Sequence, residues 1–228
     1  MENIINQNPN NASKEHLYYK IMLIGSKCVG KTQILKKFCK EEFEEQYIPT
    51  FGMDFRIQKY FFENSTITIQ IIEVSGSNVP PLELLKDYIL DADCFLCIYD
   101  ISKRDSVNEL NNMVSNYERI IGLDNKAQCW YFVGNKSDMI NKECSNNPSD
   151  IFGYTPLGTI GFIEISAKEN KFIENMFNNA IFQIKRNKRK NVNDNVIMNS
   201  HKQTIVKPKN ENNPLVNQNA KKSHCSIF

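Results

Sequence analysis

Residues Gly25–Thr32 read Gly-Ser-Lys-Cys-Val-Gly-Lys-Thr and fit the phosphate-binding pattern G-x-x-x-x-G-K-[S/T]. The pattern carries meaning only between a strand and a helix. Tyr18–Ile24 before it reads as a buried strand. Gln33–Phe43 after it reads as an amphipathic helix with Ile34, Leu35 and Phe38 on one face. In such a loop, Gly25, Ser26, Lys27, Cys28, Val29 and Gly30 turn their amides toward phosphate oxygens at the positive end of the helix. Lys31 is placed to reach the β- and γ-phosphates, and Thr32 to hold Mg²⁺.

The rest of the chain alternates strands and helices. Met53–Phe62 and Ser65–Val74 read as two strands joined at Glu63-Asn64, the second alternating with period two. Their adjacency makes one antiparallel pair. Leu82–Leu90 reads as a helix with Pro81 in its first turn. Cys94–Tyr99 and Cys129–Val133 are apolar enough to be strands covered on both faces, and Phe162–Ile165 is a further strand. Val107, Leu110, Val114, Tyr117 and Ile121 mark one helix, and Phe172, Ile173, Met176, Phe177, Ile181 and Ile184 mark the last. The expected fold is a doubly wound α/β protein, its six-stranded sheet mostly parallel with helices on both faces. Pro148, Gly153, Pro156, Gly158 and Gly161 leave room for at most a short helix within residues 141–161.

The three divisions expected are an Asn-rich, disordered extension over 1–16, a globular domain over 17–186, and a basic flexible tail over 187–228. With 228 residues, 41% of them hydrophobic, the chain can bury one core. It has no apolar run of transmembrane length, and its first 16 residues lack a basic-then-apolar signal pattern, so secretion is not expected. Its seven cysteines lack metal-ligand spacing and read as reduced thiols. The net charge of +2 is uneven: Lys185–Phe228 holds ten Lys/Arg against Asp194 and Glu211, so an acidic body precedes a basic tail. Such a tail suits an anionic partner. No nucleic-acid-reading module accompanies it.

Two further stations follow strands. Asn135-Lys136-Ser137-Asp138 lies at the carboxyl end of a strand, where open α/β sheets bind ligands. Asp138 can accept from guanine N1 and its exocyclic amine, a donor pair that adenine lacks. Ser166-Ala167-Lys168 follows the next strand and could offer a backbone N–H to the guanine oxygen. These stations count against a small-molecule P-loop kinase.

Over roughly Leu17 to Arg186 the chain resembles a Ras-superfamily small GTPase, most like the Rab branch. The phosphate loop, Thr50, N-K-S-D and S-A-K occur in that family's order. Phe51-Gly52-Met53-Asp54-Phe55 and Cys97–Ser102 resemble Rab stretches. The resemblance implies a GTP/GDP switch with Mg²⁺, in which Thr50 closes on the metal and the γ-phosphate. It implies effectors and an exchange factor at Thr50–Phe55 and Ser75–Leu90, a monomer, and a place on the cytoplasmic face of an intracellular membrane or the plasma membrane.

The resemblance breaks at the second switch. The family reads D-T-A-G-Q-E where this chain reads Glu73-Val74-Ser75-Gly76-Ser77-Asn78. Gly76 can still offer its amide to the γ-phosphate. Glu73 replaces the Asp that meets Mg²⁺ through water, and Ser77 is too short to orient the attacking water as glutamine does. Lys27 would crowd the γ-phosphate, and Lys27 and Cys28 replace small residues. Slow hydrolysis is expected. A rival reading is a pseudo-GTPase serving as a tethered interaction protein. Ile72 stands where many Rab proteins carry a tryptophan, so an unusual partner surface is expected. The terminal Cys225-Ser226-Ile227-Phe228 fits C-a-a-X, with geranylgeranyl favoured at Cys225. One lipid chain anchors weakly, and Lys221, Lys222 and the Lys185–Lys190 cluster would add attraction to anionic lipid.

Overall fold

A computed structural model describes residues 16–41, 49–62, 65–122, 128–139 and 155–203. In chain order the elements are β1 (His16–Ile24), α1 (Lys31–Phe38), β2 (Met53–Phe62), β3 (Ser65–Val74), α2 (Leu82–Asp91), β4 (Cys94–Asp100), α3 (Arg104–Ile121), β5 (Cys129–Asn135), β6 (Thr159–Glu164) and α4 (Ile173–Gln203). By contacts the chain divides into Met1–Asn191 and Val192–Phe228, and all elements but the end of α4 lie in the first unit.

The six strands form one sheet in the order β2-β3-β1-β4-β5-β6. Only β2 and β3 are antiparallel, as their short connection dictates; the other pairs are parallel. This is the expected doubly wound fold. Strand alternation divides the core. Ile21, Leu23, Cys94, Leu96 and Ile98 point to a layer with Ile34 and Leu35 of α1 and Phe177, Ile181 and Ile184 of α4. Met22, Ile24, Phe95 and Cys97 point to the opposite layer, with Leu85 and Ile89 of α2 and Val107, Leu110 and Val114 of α3. Successive residues of β1 and β4 thus serve opposite cores, which is why both strands read as continuous apolar runs. Because β1 pairs with both β3 and β4, the chain reverses its winding direction there, and the crevice beyond the carboxyl ends opens at the phosphate loop.

Several sequence boundaries are corrected. The first helix stops at Phe38 and does not continue toward Phe43, which lies outside the described residues. Lys40 takes a left-handed φ of 61°, and the Glu41 amide turns back to the Lys36 carbonyl at 2.8 Å while that of Lys40 meets Lys37 at 3.1 Å. This helix-ending pair of bonds usually uses glycine, and no glycine announces it here. Pro81 caps α2 in an extended conformation (ψ 143°) rather than entering its first turn. Phe172 is exposed and precedes α4. The expected end of regular structure at Arg186 falls inside α4, which spans 31 residues to Gln203. Of the stretch 141–161, residues 141–154 lie outside the described residues, as do 1–15 and the Cys225 terminus.

With β6 at the other edge, β2 is one of the two outer strands of the sheet. Its odd positions Phe55, Ile57 and Phe61 are exposed, as is Lys59 among them. Phe55 lies 5.6 Å, centroid to centroid, from Tyr88 of α2.

Candidate functional site

The carboxyl ends of β1, β3 and β5 open on a cavity of about 690 Å³, within the range of small-molecule sites. Lys27, Cys28, Gly30, Lys31 and Thr32 line one end with Thr50, Glu73, Ser75 and Gly76. Asn135, Lys136, Asp138, Ala167 and Lys168 line the other.

The phosphate-loop end is built by close approach. Val29 and Ser26 are buried behind the loop, while Lys27 and Cys28 are exposed at its mouth. Lys31 opens α1, and its buried ammonium donates to the carbonyls of Gly25 at 2.8 Å and Ser26 at 2.9 Å. Burial pushes its pKa down to about 8, opposed by the Glu73 charge. An anion arriving beside it would favour the charged form and oppose the effect of burial. Gly76 lies so close to Ser26 and the Lys27 amide that any Cβ there would collide with backbone.

Thr32, Thr50 and Glu73 form one cluster. Glu73 is 1% exposed, and its Oε1 accepts from the Thr32 hydroxyl at 2.5 Å and the Thr50 hydroxyl at 3.3 Å. Burial raises the Glu73 pKa, against the Thr32 hydrogen bond, the Lys31 charge and the Thr50 hydrogen bond. Its Oε2 is buried with no hydrogen-bond partner. An unpartnered carboxylate oxygen beside two hydroxyls is the hard oxygen set that a small divalent cation takes, with phosphate oxygens completing the shell. The residues present therefore fit Mg²⁺. Among the described residues no group of three or more His, Cys, Asp or Glu offers another such centre.

The opposite end is knitted from the last residues of β5 and the turn after β6. Asn135 is buried; its Nδ2 donates to the Val29 carbonyl at 2.8 Å, and its Oδ1 accepts from the Ala167 amide at 3.0 Å. One side chain thus ties the phosphate loop to the Ser166–Lys168 turn. Gly30, at φ 96°, lies so near Asn135 Nδ2 that a Cβ would displace it. Ser166 Oγ donates to Asp138 Oδ1 at 2.6 Å. Lys136 donates to Asp100 at 2.6 Å. Burial pushes the Asp100 carboxyl up, but hydrogen bonds from Lys136 and from Ser102 outweigh it and hold the pKa below its ordinary value.

Nearly all the expected residues therefore come together. Gly25, Ser26, Val29 and Ser166 act from behind rather than on the cavity wall. Of the turn amides, that of Ser166 meets Lys171 O at 3.2 Å and that of Ala167 meets Asn135, so a base carbonyl would compete for the latter. Ser77 is exposed and absent from the cavity wall; its amide meets Ser75 Oγ at 3.3 Å. Ile72 is buried against the α2 layer and adds nothing to the surface. Sequence reasoning passed over Ser75 and Asp100. Ser75 was legible as a hydroxyl where the family motif has alanine. Asp100 carried no signal before its distance to Lys136 was known.

A phosphate loop, a hydroxyl–carboxylate cluster and an Asn/Asp base end on one doubly wound sheet define a P-loop nucleotide-binding protein. The family model of the Ras family matches residues 20–186. The chain is 30% identical over 169 residues to GTP-binding protein ypt1 of Schizosaccharomyces pombe, covering 73% of this chain and 80% of that protein. It is 29% identical over 175 residues to Ras-related protein RABD1 of Arabidopsis thaliana, covering 76% and 83%. The chain belongs to the Ras family and is most like the Rab proteins within it. Proteins of this family in general bind GTP and GDP with Mg²⁺, hydrolyse GTP, and meet effectors and exchange factors.

Proposed function

We propose that this chain is a Rab-like guanine-nucleotide switch that recruits effectors in membrane traffic and hydrolyses GTP slowly. One observation carries the reading: a single cavity has Lys31 and the Thr32–Thr50–Glu73 cluster at one end and Asn135 with Asp138 at the other. The first suits a triphosphate with Mg²⁺, the second a guanine. Asp138 has Oδ2 to offer the base beside the oxygen that Ser166 occupies. Bound Mg²⁺ would neutralise phosphate charge as it develops, with Thr32, Thr50 and Glu73 as its holders. Lys31 leaves the loop carbonyls to meet the phosphate oxygens. The Gly76 amide approaches the loop where the third phosphate would lie. Ser77 lies off the cavity and supplies no group to orient water, which supports slow turnover.

Residues 17–186 would be the switch domain, 1–16 an extension, and the segment from 187 a basic tail. Lipidation at Cys225 by geranylgeranyl, with Lys221 and Lys222 beside it, would hold the chain at an intracellular or plasma membrane. No described helix is long and apolar enough to cross a membrane. A second reading, the pseudo-GTPase, is favoured by Glu73, whose carboxylate engages both hydroxyls. The two readings separate on the purified full chain. Copurified guanine nucleotide and single-turnover hydrolysis below the family's usual rate support the switch. Absence of nucleotide, and no uptake of GTP with added Mg²⁺, would establish the pseudo-GTPase instead.

A further inference from the structure

Thr50 is held from three directions by residues at the end of β3. Its hydroxyl donates to Glu73 Oε1 at 3.3 Å. Its carbonyl accepts from Ser75 Oγ at 2.7 Å. Two residues on, the Gly52 carbonyl accepts from the Ser75 amide at 2.9 Å, and Phe51 bridges to Asn78. The Ser75 oxygen also accepts from the Asn78 amide at 3.0 Å and the Ser77 amide at 3.3 Å. One buried hydroxyl therefore joins the segment around Thr50 to the segment around Gly76. All of these ties are made by the chain's own groups. An alanine at 75 would have no oxygen for three of them, and an aspartate at 73 would fall one methylene short of Thr50.

We propose that Ser75, helped by Glu73, is a positioning residue that keeps Thr50 docked on the Ser75–Asn78 segment whichever nucleotide is bound. A ligand shifts a conformational equilibrium only by its differential affinity for the two states. If the chain's own side chains already populate the closed state, the third phosphate has little left to shift. Exposed Phe51, and Phe55 beside Tyr88, are then presented with GDP as well as with GTP. The control point moves from hydrolysis to whatever governs the presence of the protein at its site. This rests on the guanine-nucleotide reading of the cavity.

Hydrogen-exchange mass spectrometry on the full chain tests it, with native mass spectra recording nucleotide occupancy. The chain is loaded with Mg²⁺ and either GDP or a non-hydrolysable GTP analogue, and peptides covering 49–56 and 74–80 are followed. In the unmodified chain the two loads are expected to exchange within about threefold of each other. Ser75→Ala is expected to speed exchange of the GDP form about tenfold while the GTP-analogue form keeps its protection. Glu73→Asp, which keeps the charge, is expected to move the GDP form the same way by a smaller factor. The proposal is overturned if the unmodified GDP form already exchanges about tenfold faster than the analogue form. It is equally overturned if Ser75→Ala leaves the GDP form unchanged. If native spectra show no nucleotide under any load, the guanine reading fails by itself. The nucleotide-free chain and its Ser75→Ala variant then decide the clasp by the same tenfold criterion.

Discussion

The two ends of the cavity are both tied together by side-chain hydrogen bonds, and they match the expected motifs unequally. At the base end, Asn135, Asp138, Ser166 and Ala167 are tied to one another and to Val29 of the phosphate loop by hydrogen bonds of 2.6 to 3.0 Å. At the phosphate end, Lys31 and Thr32 fit the phosphate-loop pattern, while Lys27, Glu73, Ser75 and Ser77 are the positions where the sequence departs from the resemblance. Choosing a guanine and cleaving a phosphate are separable demands. The first needs fixed hydrogen-bond partners; the second needs a water held in line and charge stabilised as it develops. On the proposed reading, this chain would keep the groups for the first and alter those for the second.

Removing the base partner should give the largest effect. Asp138→Ala deletes two charge-assisted hydrogen bonds at about 2 kcal/mol each, so guanine-nucleotide affinity should fall about 10³-fold while ATP binding hardly changes. Fluorescent-nucleotide titration measures both, and an equal loss for ATP would show that Asp138 only props the pocket. Next is the joint between the ends. Gly30→Ala forces a side chain against Asn135 in a left-handed conformation. It should cost about 2–4 kcal/mol in denaturant unfolding and weaken nucleotide binding with it. Unchanged stability would mean that Asn135 can move aside, and that the two ends are less coupled than the bonds to Val29 and Ala167 indicate.

A smaller gain should come from repairing the divergent end. Ser77→Gln is expected to raise single-turnover hydrolysis about tenfold, short of the full benefit of a positioned group because Lys27 stays at the loop mouth. No change would place the bottleneck at Glu73 or Lys27. Smallest is a pH effect. The Asp100 pKa is lowered on folding, so the stability it contributes is present above the unfolded value and is lost as pH falls through the folded one. As pH falls below the ordinary Asp value of about 4, the melting temperature should fall more steeply in the native chain than in Asp100→Asn. Parallel curves would remove Asp100 from the account of the base end.

The fold was legible because its signals are local. Apolar runs named β1, β4 and β5, and period-two alternation with a two-residue connection named β2 and β3. The base end was legible because a carboxylate and an amide at the end of a strand leave a short sequence trace. What escaped depends on distance across the fold. Lys40 closes α1 without the glycine that usually announces such an end. Asp100 meets Lys136 from 36 positions away. Ser75 becomes informative only once the Thr50 carbonyl is seen 2.7 Å from its oxygen. The passage of α4 beyond Arg186 was hidden by a sequence rich in Asn and Lys, which shows little amphipathic period.

The outer strand β2 has a consequence for how the protein can exist outside a complex. A sheet margin of ten residues carrying Phe55, Ile57 and Phe61 is a template for pairing with any other extended chain. Lys59 is the single charge among those outward odd positions, the kind of residue that discourages strand-to-strand association. Its neutralisation would leave nucleotide chemistry untouched and lower the concentration at which the free chain stays dispersed.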